Sequence, residues 1–304
     1  MNRIGRRITD KIIEINGSDE FSIAFLPYKR SMWNSMQSVF EECLMSGIKA
    51  YCLPLPYYKM KSGKEIDRIE YEKELFENAQ DISLLGKLQF DYVVIHYPYD
   101  HNNTVTSMLP AYHTDQLRKY GKIIYIPYSC FNSRQLRVQP GLANIDYAFL
   151  GTSQEAYDFI KEWQEFGVDF SGRVFGLGSP KMDSIQKTIR EDADKTLIIN
   201  SLAAYLVEPF IRINKYKREI QGQIDAGHEV IFRPHPLLRQ TIKALRPDTE
   251  TYYDDFIKWA ENIGCIVDES EFLEDALEQA NYMIGDPSSV LDMWISTGRE
   301  FKII

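Results

Sequence analysis

The sequence predicts an α/β protein built as two doubly wound halves, each on a parallel sheet. Three observations predict it. Short runs of β-branched and aromatic residues alternate with amphipathic segments along the whole chain. A polar, charged stretch, SIQKTIREDADK at 184–195, divides that alternation into two series. The 304 residues, 44% hydrophobic and 26% charged, suffice for two cores. The expected division is an amphipathic segment at 1–20, a first domain at 21–183 and a second at 184–304.

Residues 3–15 place Ile4, Ile8 and Ile12 on one helical face, with Arg3, Arg6, Arg7 and Lys11 around it. Such a helix either touches an anionic membrane surface or packs on the first domain. FSIAFLPY (21–28) reads as a strand, followed by a helix, WNSMQSVFEECLMSG, that ends at Gly47. KAYCLPLPYY (49–58) is the next strand, and KSGKEIDRIEYE (61–72) a polar, mobile loop or excursion. Strands follow at FDYVVIHYPYD (90–100), GKIIYIPYS (121–129) and IDYAFLGT (145–152). The helix QEAYDFIKEWQEFG and the segment SGRVFGLGSPKMD (171–183) close the first half.

After the charged bridging helix at 184–195, TLIINSLAAYL (196–206) opens the second series with a strand. INKYKREIQGQIDAG is a helix ending at Gly227, HEVIFRPHP a strand and its loop, YDDFIKWAENIG a helix and CIVDES a short strand. EFLEDALEQA is a helix, NYMIGDPSSV a strand into a loop, SVLDMWISTG a helix and EFKII a last strand. A doubly wound domain normally continues into a further helix, so the chain is expected to be short at its C-terminus. No repeat occurs at a solenoid period.

Composition excludes several classes. The net charge of −9 argues against a sequence-independent nucleic-acid binder. No apolar run approaches the ~20 residues of a membrane span, and MNRIGRRITDKIIEI lacks the apolar core of a secretory signal. Cys43, Cys52, Cys130 and Cys265 form no CxxC pair, so a zinc site is not expected. They read as reduced, mostly buried thiols, which places the chain in the cytoplasm.

In open α/β sheets, ligands bind beyond the carboxyl ends of the strands. In the second half those ends carry Ser201 after TLIIN, Arg233 and His235 after EVIF, and Asp286, Ser288 and Ser289 after NYMIG. If the sheet is parallel, the three loops converge on one edge. A guanidinium, an imidazole, three hydroxyls and a helix start suit a phosphate. His235 can donate a proton or a hydrogen bond to a leaving phosphate. Pro234 and Pro236 hold the backbone extended and set the direction of His235. The plainer reading makes Ser289, with Asp292 three positions on, a helix cap and the histidine structural. Neither GxGxxG nor GxxxxGK[ST] occurs, and GLGSP (176–180) is too short to count as either.

In the first half, HYPYDHNNTVTS (96–107) is the richest loop, with His96, Asp100 and His101, and His113 beyond it. A base here would suit group transfer; alternatively His96 and Asp100 merely hold each other. A metal site from His96, Asp100 and His101 lacks the i, i+4 helical spacing. Tyr128 and Ser129, in the next strand-end turn, either bind an acceptor or cap a helix.

LPYKRSMWNSMQSVFEE, LPLPYY, IHYPYDHNNTVTS, RPHPLLRQTIKALRP and GDPSSVLDMWISTG resemble the CDP-glycerol glycerophosphotransferase family of teichoic-acid-type polyol-phosphate transferases. The resemblance runs from about residue 21 to the end, and the RPHP and GD.SS elements are its most specific part. Bacterial sialic-acid polymerases carry a similar HP-plus-serine arrangement for a CMP donor. The resemblance implies a GT-B-like fold, two Rossmann-like domains facing across a cleft, with the donor mostly on the second. It implies His235 at the donor phosphates, Arg233 beside it, and Ser288 and Ser289 at the pyrophosphate. An acceptor hydroxyl would attack the β-phosphate of CDP-glycerol and release CMP, with no metal or other cofactor required. The family's His-Gly turn has no match here: the corresponding IPYS lacks a histidine, and His96 stands as its substitute.

The expected partners are a CDP-activated alcohol (glycerol, ribitol or another) and a lipid-linked or glycan acceptor, with no nucleic acid. The expected setting is the cytoplasm, with peripheral contact to the inner membrane face. The rivals are a GT-B glycosyltransferase using a CMP- or UDP-sugar, and a non-catalytic nucleotide-binding scaffold of a surface-polymer assembly complex.

Overall fold

A computed structural model describes residues 2–60, 65–100, 106–130, 134–270 and 272–304. The chain divides into two compact units, Met1–Ser184 and Ile185–Ile304.

The first unit opens with α1 (Arg3–Asn16), β1 (Ser22–Phe25), α2 (Gln37–Met45) and β2 (Lys49–Cys52). A hairpin of β3 (Tyr57–Met60) and β4 (Ile66–Glu70) follows, then β5 (Tyr92–Ile95), α3 (Thr114–Leu117), β6 (Lys122–Tyr125) and α4 (Arg134–Arg137). β7 (Tyr147–Leu150), α5 (Ser153–Gln164) and β8 (Val174–Gly176) complete its sheet, and α6 (Lys181–Thr188) leads into the second unit. The sheet order is β2-β1-β5-β6-β7-β8, parallel throughout.

Both faces of this sheet are covered, which is why its strands read as unbroken apolar runs. Ile23, Phe25, Val94, Ile124 and Phe149 belong to one buried cluster with Ile8 and Ile12 of α1 and Val39, Phe40 and Cys43 of α2. The alternate residues Ala24, Val93, Ile95, Ile123 and Ala148 belong to the other, with Ala156, Phe159 and Trp163 of α5. A capping box starts α5: Glu155 N–H donates to Thr152 Oγ1 at 3.1 Å, and Thr152 N–H to Glu155 Oε2 at 3.2 Å.

Two elements depart from the sequence reading. KAYCLPLPYY is not one strand. β2 stops at Cys52, ahead of Pro54 and Pro56, which lack the N–H a sheet ladder needs. Within the stretch read as a loop, residues 66–70 form β4, paired antiparallel with β3 in the register Tyr58↔Ile69 and Lys59↔Arg68. Cross-strand ties hold the pair: Tyr57 Oη donates to Glu70 Oε2 at 2.8 Å, and Lys59 Nζ lies 3.0 Å from Glu70 Oε1.

The apolar face of α1 is spent on the core, because Ile8 and Ile12 are fully buried. Gly5 permits the close crossing with α2: a Cβ there would lie 2.5 Å from Ser38 O. The first N–H groups of α1 are satisfied by Asp183, whose buried carboxylate accepts from Ile4 N at 3.1 Å and Gly5 N at 2.7 Å. A negative charge at a helix start is also favoured by the helix dipole. Asp183→Ala is expected to cost about 1–3 kcal/mol, the cost of orphaned buried donors. Urea denaturation should show the loss, hydrogen exchange should show faster exchange confined to α1, and Asp183→Asn should recover part of both.

The second unit runs β9 (Lys195–Ile199), α7 (Leu202–Val207), α8 (Pro209–Asp225), β10 (Val230–Arg233) and α9 (Leu238–Leu245). Then come α10 (Glu250–Asn262), β11 (Ile266–Val267), α11 (Leu273–Gln279), β12 (Ala280–Gly285), α12 (Ser289–Ile295) and β13 (Phe301–Ile303). The parallel order is β11-β10-β9-β12-β13. Connections run outward one way from β9 through β10 and the other way from β12. The topological switch point therefore lies between β9 and β12. Ile198, Phe232 and Ile284 pack with Ile213, Tyr216 and Ile220 of α8 and Phe256 of α10. The α8 helix ends at Gly227, whose φ of +87° suits glycine.

Among the described residues, no helix is long and apolar enough to cross a membrane. The four cysteines are free and buried, and burial pushes the Cys43 thiol up to about 12.

Candidate functional site

In the second unit, three adjacent parallel strands, β10, β9 and β12, deliver their following loops to one edge. Asn200 and Ser201 follow β9, His235 follows β10, and Asp286, Ser288 and Ser289 follow β12. Gly285 lets β12 lie close to β9 there, because a Cβ would meet the Ile199 side chain at 2.4 Å.

Two residues read from the sequence as phosphate contacts turn inward. Asp286 is fully buried, and its oxygens accept from Ser201 N at 2.9 Å, from Arg212 Nη1 at 2.8 Å and from the Tyr216 hydroxyl. An enclosed carboxylate with three donors joins the β9 and β12 loops to α8. Its charge and its occupied oxygens suit that task, not phosphate contact. Arg233 is the last residue of β10 and is 6% exposed. Its guanidinium pairs with Asp268 and donates to Ser270 Oγ and Ser270 O, each at 3.0 Å. This partly buried pair braces the neighbouring β11 loop, and the fork is not open to two further oxygens. The sequence reading did not single out Arg212, Tyr216, Asp268, Ser270 or Asn200. Asp268 and Ser270 stood in plain view in CIVDES, at the end of a strand.

His235 has the position its flanking prolines imply. Its backbone N–H donates to Asn200 Oδ1 at 2.7 Å, and its Nδ1 accepts from Leu237 N–H at 3.2 Å. An accepting Nδ1 puts the proton of the neutral ring on Nε2. Burial holds the imidazole below its ordinary pKa, which favours that neutral, Nε2-protonated form. Ser288 caps α12: its Oγ accepts from Leu291 N at 3.2 Å. The capping role falls on Ser288, not Ser289, whose side chain is exposed. Ser201 is half-buried and contributes its backbone N–H to Asp286.

In the first unit, the adjacent strands β1, β5 and β6 end in a cluster of aromatic rings. Tyr28 lies 4.8 Å from Tyr97 and 5.2 Å from Tyr57 between ring centroids; Tyr97 lies 4.6 Å from Tyr99 and 6.2 Å from Tyr128. Lys29 Nζ sits 5.3 Å from the Tyr57 ring. Tyr128 and Ser129 are half-buried, and Tyr128 bonds Tyr99 through their hydroxyls.

His96, read as the candidate base, is shut in at 1% exposure against Tyr28, with 5.5 Å between ring centroids. Ser35 Oγ lies 3.1 Å from His96 Nδ1 and gives its own proton to Met32 O at 2.8 Å. His96 Nδ1 is therefore the donor to Ser35, and Nε2 is a bare acceptor with no partner among the described residues. A group enclosed this way does not reach an acceptor hydroxyl. Nor do His96 and Asp100 hold each other: Asp100, 2% exposed, accepts from Thr114 Oγ1 at 2.6 Å, which in turn accepts from Asn144 Nδ2 at 3.0 Å. His113 is buried, with Nε2 3.4 Å from Met108 O. His101 lies outside the described residues. Among the described residues, no group of three or more His, Cys, Asp or Glu side chains is placed to hold a metal ion.

Burial pushes His96 down to about 3, against about 6.5 in an unfolded chain. Between those values the unfolded chain takes up a proton that the folded chain refuses. Stability is therefore lost as pH falls from about 6.5 toward 3. His96→Phe is expected to flatten that part of the stability curve, read by urea titrations at successive pH values. An unchanged slope would contradict the enclosure described here.

No family model matches the sequence, and no curated protein matches it. Solved structures do. A UDP-N-acetylglucosamine 2-epimerase superposes with a TM-score of 0.58 at 13% identity, over 94% of this chain and 78% of that one. The UDP-GlcNAc 2-epimerase of Methanocaldococcus jannaschii, solved with UDP-GlcNAc and UDP, does so at 0.56 and 13%, over 93% and 88%. The wall teichoic acid polymerase TagF is also similar, at 0.46 and 10%, over 98% and 74%. The fold is of the GT-B type, two Rossmann-like units each built on a parallel sheet.

Proposed function

We propose that the chain is a transferase with a nucleotide-activated donor, CDP-glycerol or a related CDP-alcohol, and a hydroxyl acceptor on a lipid-linked or glycan molecule. One observation carries the reading. The RPHP turn and the GDPSS loop meet beside the switch point of the second unit, and His235 there is held neutral with Nε2 as its donor nitrogen. A switch-point edge is where doubly wound sheets take nucleotides. The motifs at that edge are the ones that resemble the polyol-phosphate transferases.

In the proposed step an acceptor oxygen attacks the β-phosphorus. The bond from that phosphorus to the bridging oxygen breaks, and CMP leaves with the bridging oxygen. The acceptor's proton passes to a base or to solvent. His235, as a neutral donor, meets the negative charge that grows on the leaving phosphate, while Ser289 and the loop backbone steady the diphosphate. Asp286 and Arg233 act behind these groups, holding the loops that carry them.

A second reading is favoured by the similar folds solved with UDP-GlcNAc: a nucleotide-sugar enzyme on the same scaffold. Product analysis separates the two. CMP released from CDP-glycerol or CDP-ribitol in the presence of a polyol-phosphate or glycan acceptor supports the proposal. Turnover confined to a UDP- or CMP-sugar supports the second reading. Nucleotide binding without turnover of any donor identifies a scaffold.

A further inference from the structure

Asn200 is 4% exposed at the end of the central strand β9, with one arm of its amide in use. Oδ1 accepts from the His235 backbone N–H at 2.7 Å, and Nδ2 has no hydrogen-bond partner among the described residues. An unsatisfied buried amide donor costs about 1–3 kcal/mol, so a protein keeps one only where something fills it. The location says what. Oδ1 points to the β10 loop, and the two arms of a planar amide diverge, so Nδ2 is turned away from that loop. Asn200 itself sits on β9, which borders the switch point. Its neighbours at this edge are the donor nitrogen of His235 and the hydroxyl of Ser289. The nearby carboxylate of Asp286 is already matched by Arg212 and Tyr216. A side chain offering only N–H groups there suits an anion.

We infer that Asn200 is a diphosphate-binding residue of the second unit. Its Nδ2 donates to a phosphate oxygen of the bound nucleotide, while its Oδ1 fixes the turn that aims His235 at the same group. This rests on the proposed donor site and adds to it a residue that couples ligand contact to His235 orientation. Water takes the place of the phosphate oxygen when no nucleotide is bound.

Asn200→Asp separates the two tasks, because it keeps the acceptor for His235 N–H and removes the donor. With the full chain, wild type is expected to bind CDP and inorganic pyrophosphate. Asn200→Asp should weaken both by about 10–100-fold, the worth of a hydrogen bond to a charged group, and leave cytidine affinity and the ligand-free Tm close to wild type. Asn200→Ala should lose CDP affinity and lower the Tm as well. Equal CDP affinity in Asn200→Asp and wild type overturns the inference and leaves the donor reading standing. Parallel loss of CDP and cytidine affinity with a lowered Tm marks a structural role only, and also overturns it. Pyrophosphate binding that depends on Asn200, without CDP binding, upholds this residue's role and defeats the donor reading. Binding of neither ligand by wild type defeats both. If Asn200→Asp does not fold, the side-chain amide resonance of Asn200 in ¹⁵N-labelled wild type serves instead. It should move on titration with pyrophosphate, and a stationary resonance overturns the inference.

Discussion

Asp286→Ala is expected to be the most destabilising single substitution in the second unit, at about 3–5 kcal/mol. Asp286 is fully enclosed, and three donors converge on its carboxylate from two elements distant in sequence: Ser201 N in the β9 loop, and Arg212 and Tyr216 on α8. Removing the anion leaves the largely buried Arg212 guanidinium without its counter-charge, and such a loss costs far more than a surface pair. The melting temperature should fall by roughly 10 °C. Asp286→Asn should rescue little, because an amide nitrogen would face one of the three donors. Asp286→Leu combined with Arg212→Met should recover much of the loss, since a matched apolar pair often replaces a buried ion pair at little cost. A fall of only a few tenths of a kcal/mol, in calorimetry or urea titration, would show that the carboxylate does not organise this edge.

His235→Ala is expected to have the opposite profile, a small effect on stability and a large one on ligand. The ring is half-buried, and its one intramolecular bond, from Leu237 N–H, is local. The fold should lose less than about 1 kcal/mol. CDP affinity should fall about 10–100-fold, for loss of a hydrogen bond to a charged phosphate. Turnover should fall further if the imidazole meets charge that develops only as CMP departs, so kcat should drop beyond the change in binding. His235→Gln, which restores a donor of similar reach, should recover part of the affinity and little of the rate. Wild-type affinity and rate in His235→Ala would remove this residue from the site.

Much of the fold was legible because period and punctuation agree. Runs such as YVVI, KIIY and TLII are buried on both faces, so they read as parallel strands. Gly47 and Gly227 end helices where the pattern stops. The places that failed are those where tertiary pairing overrode local composition. IDRIE is polar enough to pass for a loop and became β4 only because β3 lay beside it. LRQTIKAL carries Leu238 and Ile242 at helical spacing, both buried in α9, yet the prolines before it drew attention to the turn alone.

The site was legible as an edge and less so as chemistry. Strand order could bring Ser201, His235 and Asp286 together on paper. Direction could not be read: Asp286 and Arg233 face inward, and only their partners show it. Asn200 was overlooked because the reading began one residue later, at Ser201. In the first unit a signal was present and unused. The dipeptide Pro-Tyr recurs at 27–28, 56–57, 98–99 and 127–128, and all four tyrosines meet in one aromatic cluster. Burial sets the limit on His96, since a histidine at a strand end looks the same in sequence whether it faces a ligand or a core.

The most direct test of the donor assignment is calorimetric titration of the full chain with CDP-glycerol, alongside CDP, CMP and UDP-GlcNAc. The account predicts that CDP-glycerol and CDP bind more tightly than CMP, because the second phosphate reaches His235 and Asn200, and more tightly than UDP-GlcNAc. Binding of UDP-GlcNAc alone, or CMP and CDP bound with equal affinity, would contradict it.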